Sequence, residues 1–386
     1  MSQNVACSTF IVLLFFLIHP ISGILISLFF DIYLYSKNVS KYNGLLTVFV
    51  LSFFLGLINM TKYIESDMEN YLIQFDLAKE SGFFSYLLLV GKEFAFYSYM
   101  YFLSSCIKLD FASFTLINTF ISYFCLLYSV VLIYKKLSLK VVDVVVALVS
   151  ISFFFELFSL SAHLMRQFLA MSVLLLGLVY FILYNRKMHL LILCAGFIHS
   201  SAFLFLPLLF FPPIRKPFSV KSIILTFFAV FILAYAVVLL AGNLEFIYIF
   251  QRIGANDFNS ESHLEIVTIV FTLLFLISIL LLMKRYIMLP RSAFWFNVFM
   301  FLPVFILGFS FIQETLSYRY GFYVYAYFFV FFPILINRKS VGFLSVFMRS
   351  VWVVLLLFRF GYKLENGTFE FDSLNNIMFN TCFYFF

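Results

Sequence analysis

Along the chain, apolar runs alternate with short polar turns. Runs of about 20 apolar residues match the length a helix needs to cross a bilayer. The pattern predicts crossing helices over residues 10–30, 45–60, 111–134, 141–160, 167–184, 222–241, 264–283, 292–312, 320–336 and 341–360. The first is interrupted by His19-Pro20. Runs such as 141–160 do not alternate at period two, which excludes a membrane β-barrel. The expected fold class is therefore an all-α polytopic integral membrane protein, a single membrane domain over residues 1–386. It has about ten transmembrane helices plus two partial or re-entrant elements.

Charge placement sets the orientation and exposes the two partial elements. Basic turns follow many of the runs: Lys37 and Lys41, Lys135-Lys136, Arg186-Lys187, Lys284-Arg285 and Arg338-Lys339. Basic turns favour the cytoplasmic side. The loop after the second run carries Glu65, Asp67, Glu69, Asp76 and Glu80 against Lys62 and Lys79, so it is assigned to the outer face. Residues 83–106 are long enough to cross, but Lys92-Glu93 lies mid-segment, and a crossing would put Lys135, Lys136 and Lys140 outside. Residues 61–110 are therefore read as an outer-face loop with an amphipathic, aromatic-rich segment. Residues 188–211 have basic turns at both flanks. A broken helix pair that dips in and returns, bent near His199-Ser200-Ser201, satisfies both. Residues 242–263, with Glu245, Asp257 and Glu261 against Arg252, form a second outer-face loop.

Composition agrees. Of 386 residues, 64% are hydrophobic and 11% charged, about half the charge of an average soluble domain. The net charge of +7 sits in the turns and is no nucleic-acid signal. Five scattered cysteines without a CxxC give neither a disulfide framework nor a metal site. Internal repeats of the kind transporters carry are not visible.

The chemistry-bearing residues then stand out because charge at membrane depth is costly. His163 and Arg166, three apart, share a helix face at the outer end of a span. Arg319, with Tyr320 after it, lies at the outer end of another. A guanidinium there suits a phosphate or diphosphate, its planar fork donating two parallel hydrogen bonds, although either arginine could instead reach lipid headgroups. His199 occupies a helix break, and non-helical backbone at depth belongs beside a cavity; the alternative is a core histidine bonded to a carbonyl. Asp67 and Glu69 form a D-x-E pair suited to a divalent cation or simply to a solvated loop. Glu156, Arg349 and Arg359 have no partner that the sequence identifies.

Asp67…Asn70-Tyr71, Glu93-x-x-Phe96-Tyr97, Arg166-Gln-Phe-Leu-Ala170, His199-Ser200-Ser201-Ala202 and Ser317-Tyr-Arg319-Tyr320 follow one another in this order. This order resembles the EpsG/Wzy-type bacterial polysaccharide polymerases over roughly residues 45–340; the aromatic composition also resembles O-antigen polymerases. The resemblance implies a multi-pass glycosyltransferase of the bacterial inner membrane, active on the periplasmic side, with no cofactor and no metal. Such an enzyme moves a growing glycan from undecaprenyl pyrophosphate onto a new lipid-linked repeat, with a chain-length regulator as a further partner. The family often has Glu-Pro where this chain has Glu93-Phe94. The leaving diphosphate needs fixed cations, for which Arg166 and Arg319 are the candidates. The acceptor hydroxyl needs a base, drawn from His199, Asp67, Glu93 and His163, with Tyr71 and Tyr320 as further site candidates. A flippase for lipid-linked oligosaccharide is the alternative.

Overall fold

The computed structural model describes residues 3–36, 44–91, 93–216, 220–241, 266–286, 291–310, 314–336, 343–367 and 369–386. Among them the secondary structure is all helical. Among the described residues, three helices are long and apolar enough to cross a membrane: Phe111–Lys136, Met165–Leu183 and Ser292–Ser310. The pair Val141–Ser152 and Phe155–His163 is long and apolar enough when taken together, and is bent by 51° at Phe153-Phe154, as a broken span or a re-entrant loop is. Further apolar helices are shorter. The architecture is that of a polytopic membrane protein.

The chain divides into two compact units, residues 1–203 with 336–386, and residues 204–335. In the first, α1 (Gln3–Ile18) and α2 (Pro20–Ser36) replace the single span expected over 10–30. Proline lacks the N–H a continuing helix needs, and His19 Nδ1 accepts the Ser22 N–H at 3.2 Å, starting α2 afresh. The two helices fold against each other: a Cβ built on Gly23 would lie 2.4 Å from Phe16 Cα. Only glycine permits that approach.

Helix α3 (Leu45–Met60) has the expected bounds. Residues 61–110, expected as an outer-face loop, contain α4 (Asp67–Glu80), α5 (Phe83–Val90) and α6 (Phe94–Tyr101), the last running into a π-helical turn, Phe102–Cys106. Eight residues of helix reach only about 12 Å, so neither α5 nor α6 crosses alone. Phe84, Leu88 and Leu89 of α5 stay exposed, as on an element facing lipid. Helix α7 (Phe111–Lys136) is capped by Asp110, whose carboxylate accepts the Ser113 N–H at 2.8 Å. Its contact with α3 is close: a Cβ on Gly56 would stand 2.9 Å from the Leu116 carbonyl oxygen. Small residues allow such approaches where lipid supplies no hydrophobic drive between helices.

Helices α8 (Val141–Ser152), α9 (Phe155–His163) and α10 (Met165–Leu178, extended by a π-helical turn over Val179–Leu183) follow. A buried polar knot ties three of these elements: Asn59 Nδ2 donates to Thr119 Oγ1 at 2.5 Å and to the Ser161 carbonyl at 3.3 Å. Helix α11 (His189–Ile198) ends where the sequence pattern places a break. His199 is extended (φ −152°, ψ 127°), and a 3-10 turn, Ser200–Leu204, leads to α12 (Phe205–Phe210).

The second unit holds α12, α13 (Val220–Ala241), α14 (Ile266–Tyr286), α15 (Ser292–Ser310) and most of α16 (Glu314–Ile336). Its core is aromatic: Trp295, Phe299, Tyr323, Tyr327 and Phe331 are buried together, with Phe299 meeting Tyr327 and Phe331 edge-on at 5.3 Å. The second outer-face loop expected at 242–263 lies outside the described residues.

The chain returns to the first unit as α17 (Phe343–Asn366) and α18 (Leu374–Phe379). Here Arg349 and Arg359 find their partners. Arg349 Nη2 lies 2.7 Å from Asp143 Oδ1 of α8, and Arg359 pairs with Glu156 of α9. Between them Trp352 Nε1 donates to Ser150 Oγ at 2.9 Å. One face of α17 is thus fastened along the bent pair α8–α9.

Candidate functional site

Three breaks in helical structure, far apart in sequence, bring the site together in the first unit. The first is the α5–α6 junction. Gly91 and Glu93 both have positive φ, 65° and 51°. For glutamate the left-handed conformation costs about 1–2 kcal/mol. The Glu93 carbonyl accepts the first bonds of α6, from Phe96 N at 3.0 Å and Tyr97 N at 3.3 Å, while its side chain turns to Arg166 and His199. The second break is at Leu164 (φ −108°, ψ 50°), which ends α9 and lets α10 start with Arg166 in its first turn. The third is His199 at the end of α11, which packs against both α6 and α10.

Arg166 is the centre. Its Nη1 donates to Glu93 Oε2 and, at 3.1 Å, to Tyr97 Oη; its Nε donates to Tyr71 Oη at 3.2 Å. The guanidinium also sits over both rings, 5.4 Å from the Tyr71 centroid and 5.6 Å from that of Tyr97. Its Nη2 takes no part in these bonds. The second carboxylate oxygen of Glu93, Oε1, lies 3.5 Å from His199 Nε2. The other His199 nitrogen, Nδ1, meets Ser201 Oγ at 2.7 Å, which fixes the ring plane. One carboxylate thus stands between a guanidinium and an imidazole.

Burial sharpens the electrostatics. The side chains of Arg166, Glu93 and His199 are 22%, 11% and 15% exposed. They are covered enough for charge to act at low dielectric, yet a reactant can still reach them. Tyr71 is buried on α4, and its phenol is raised above its ordinary range mainly by that burial; the Arg166 charge opposes the shift and is outweighed. It therefore remains a neutral ligand of the guanidinium. Beside the site an open apolar cavity of about 340 Å³ is lined by Phe94, Ala95, Ser98 and Phe197.

The residues picked from the sequence fall into three groups. Arg166, Glu93, His199 and Tyr71 meet. Asp67 and His163 lie elsewhere in the same unit. Asp67 is exposed in the first turn of α4, where a carboxylate complements the helix dipole, and His163 stacks on Phe369 with centroids 4.8 Å apart. Arg319 and Tyr320 belong to α16 of the second unit, Arg319 exposed and Tyr320 buried against Phe305. Tyr97 was not singled out in the sequence as an Arg166 ligand, although it sits in the Glu93-x-x-Phe96-Tyr97 stretch, one helical turn past Glu93.

The arrangement offers a carboxylate able to accept a proton, an imidazole against it, and a guanidinium edge for a phosphate. A family model described as the EpsG family matches residues 45–373, a stretch that contains every residue of this site. No curated protein and no solved structure matches the chain significantly.

Proposed function

The chain belongs to the EpsG family, and on that premise we propose that it polymerises lipid-linked polysaccharide repeat units. The donor is a growing glycan on undecaprenyl pyrophosphate, the acceptor the sugar of a new lipid-linked repeat, and the product an O-antigen or similar surface polysaccharide. The setting is the bacterial inner membrane with the site on the periplasmic side. The observation that carries the reading is the carboxylate of Glu93 shared by Arg166 and His199 within a part-covered membrane-protein site.

Each residue then has a chemical part. The acceptor hydroxyl oxygen bonds to the anomeric carbon of the donor glycan. The bond from that carbon to the diphosphate oxygen breaks, and the diphosphate leaves with the electron pair. Glu93 takes the hydroxyl proton, with His199 against its other oxygen to share it. Arg166 holds the leaving diphosphate, where fixed positive charge counts most in the transition state. Tyr71 and Tyr97 fix its plane by bond and by ring face. Because Glu93 already pairs with Arg166, an arriving diphosphate competes for the same cation and frees the carboxylate as the acceptor docks. Asp67, exposed one turn before Tyr71 on α4, is the alternative base. A chain-length regulator is the expected partner.

The surface glycan of a deletion strain tests the reading. Single repeat units on the lipid acceptor are expected. Absence of surface units would instead assign the chain to lipid-linked oligosaccharide export, and full-length polymer would refute a polymerase.

A further inference from the structure

Lys62 is an unusual cation. It follows α3 at the start of the outer loop and is only 5% exposed. Among the described residues its Nζ has no hydrogen-bond partner and no carboxylate within ion-pairing distance. Burying an ammonium without a counter-ion is costly. Burial accordingly pulls Lys62 down to about 8, with Glu65 and Asp67 opposing the shift from farther off.

What covers the ammonium is a ring. Lys62 Nζ sits 4.1 Å from the centroid of Phe369, and His163 stacks on that same ring. Phe369 belongs to a short strap, residues 369–372, laid along the loop 61–65. The strap is held by the Tyr63 N–H to the Glu370 carbonyl at 3.0 Å, by the Glu370 N–H to Glu65 Oε1 at 3.3 Å, and by the Asp372 N–H to Thr61 Oγ1 at 3.3 Å. A cation–π contact plus three loop bonds is a cover that an anion can displace, because a charged ligand offers the ammonium both charge and acceptors. Lys62 also lies on the chain segment that leads into α4, whose Tyr71 holds Arg166.

We infer that Lys62 is a phosphate-binding cation covered at rest by Phe369, and that the strap 369–372 yields when an anionic phosphate group arrives. An ammonium with unused donors takes an anion. Its occupant, the lipid-borne phosphate of one of the two substrates, rests on the function proposed above.

Equilibrium binding of farnesyl diphosphate and of inorganic pyrophosphate to the detergent-purified full-length protein tests this. The proteins compared are wild type, Lys62→Met, Lys62→Arg and Phe369→Leu, each with its Tm. Lys62→Met should weaken binding about tenfold or more, as expected for a lost charge-assisted hydrogen bond, and Lys62→Arg should retain most of it. Phe369→Leu keeps an apolar cover but removes the competing ring face, so binding should tighten about threefold. Equal binding of the two probes by wild type places recognition in the phosphates alone; tighter farnesyl diphosphate places it on a lipid-borne group; either supports the site. Binding by a folded Lys62→Met equal to wild type would overturn it, as would a wild type that binds neither probe. The deletion-strain glycan reports on the proposed function separately. Full-length polymer there, with Lys62-dependent binding intact, would refute the polymerase and leave this site standing.

Discussion

Neutralising one member of the Asp143–Arg349 pair should be among the most damaging single changes in the protein. Asp143 is fully buried and Arg349 is 10% exposed, their atoms 2.7 Å apart. Removing one partner strands the other charge away from water, which costs about 3–5 kcal/mol in buried pairs. Asp143→Asn and Arg349→Met should each lower Tm by roughly 6–10 °C, at about 2 °C per kcal/mol. The double variant should recover much of that loss, since no charge is then left alone. Thermal unfolding of the four proteins in one detergent gives the cycle, and the coupling should be about 2 kcal/mol or more. Additive single effects below about 0.5 kcal/mol would show that water or lipid headgroups already solvate both groups, and that this pair does not fasten α17.

Other consequences are equally open to measurement. Gly23→Ala places a methyl against the Phe16 backbone; it should cost about 1–3 kcal/mol, read as a lower Tm, and Gly82→Ala, with nothing near its Cβ, should not. Tyr71→Phe and Tyr97→Phe each remove one acceptor from Arg166 and keep the ring, so each should slow polymer formation by about tenfold without a matching fall in Tm. Anion binding at Lys62 should weaken as pH rises through about 8, where the ammonium loses its proton. The titratable groups around it are Glu65, Asp67, His163, Glu370 and Asp372. Lys62→Arg should flatten the profile; an unchanged profile in that variant would refute the assignment.

How much was legible follows from which physical terms are local. Span length and polarity are local, so α3, α7 and α10 lie close to where the apolar runs place them. The break at His199 was legible because basic turns on both flanks conflict with a single crossing. The hairpin of α1 and α2 was not: His19-Pro20 marks an interruption, but the fold-back depends on Gly23 meeting Phe16, a contact that spacing does not reveal. The ion pairs of Arg349 and Arg359 join residues some 200 apart in the chain, and no periodicity carries that information. Glu93, Arg166 and His199 could be named one at a time from their cost in an apolar setting. Their convergence on one carboxylate needed the left-handed turn at Glu93 and the kink at Leu164.

The carboxylate–guanidinium–imidazole cluster of Glu93, Arg166 and His199 is proposed to perform glycan transfer. Its most direct test is the purified protein in liposomes, supplied with a polyprenyl-diphosphate-linked repeat unit, comparing wild type with Glu93→Gln, Arg166→Ala and Arg166→Lys. Wild type should give a polymer ladder, Glu93→Gln and Arg166→Ala none at unchanged fold, and Arg166→Lys, which keeps charge but not the fork, partial extension. A full-length ladder from both Glu93→Gln and Arg166→Ala would contradict it.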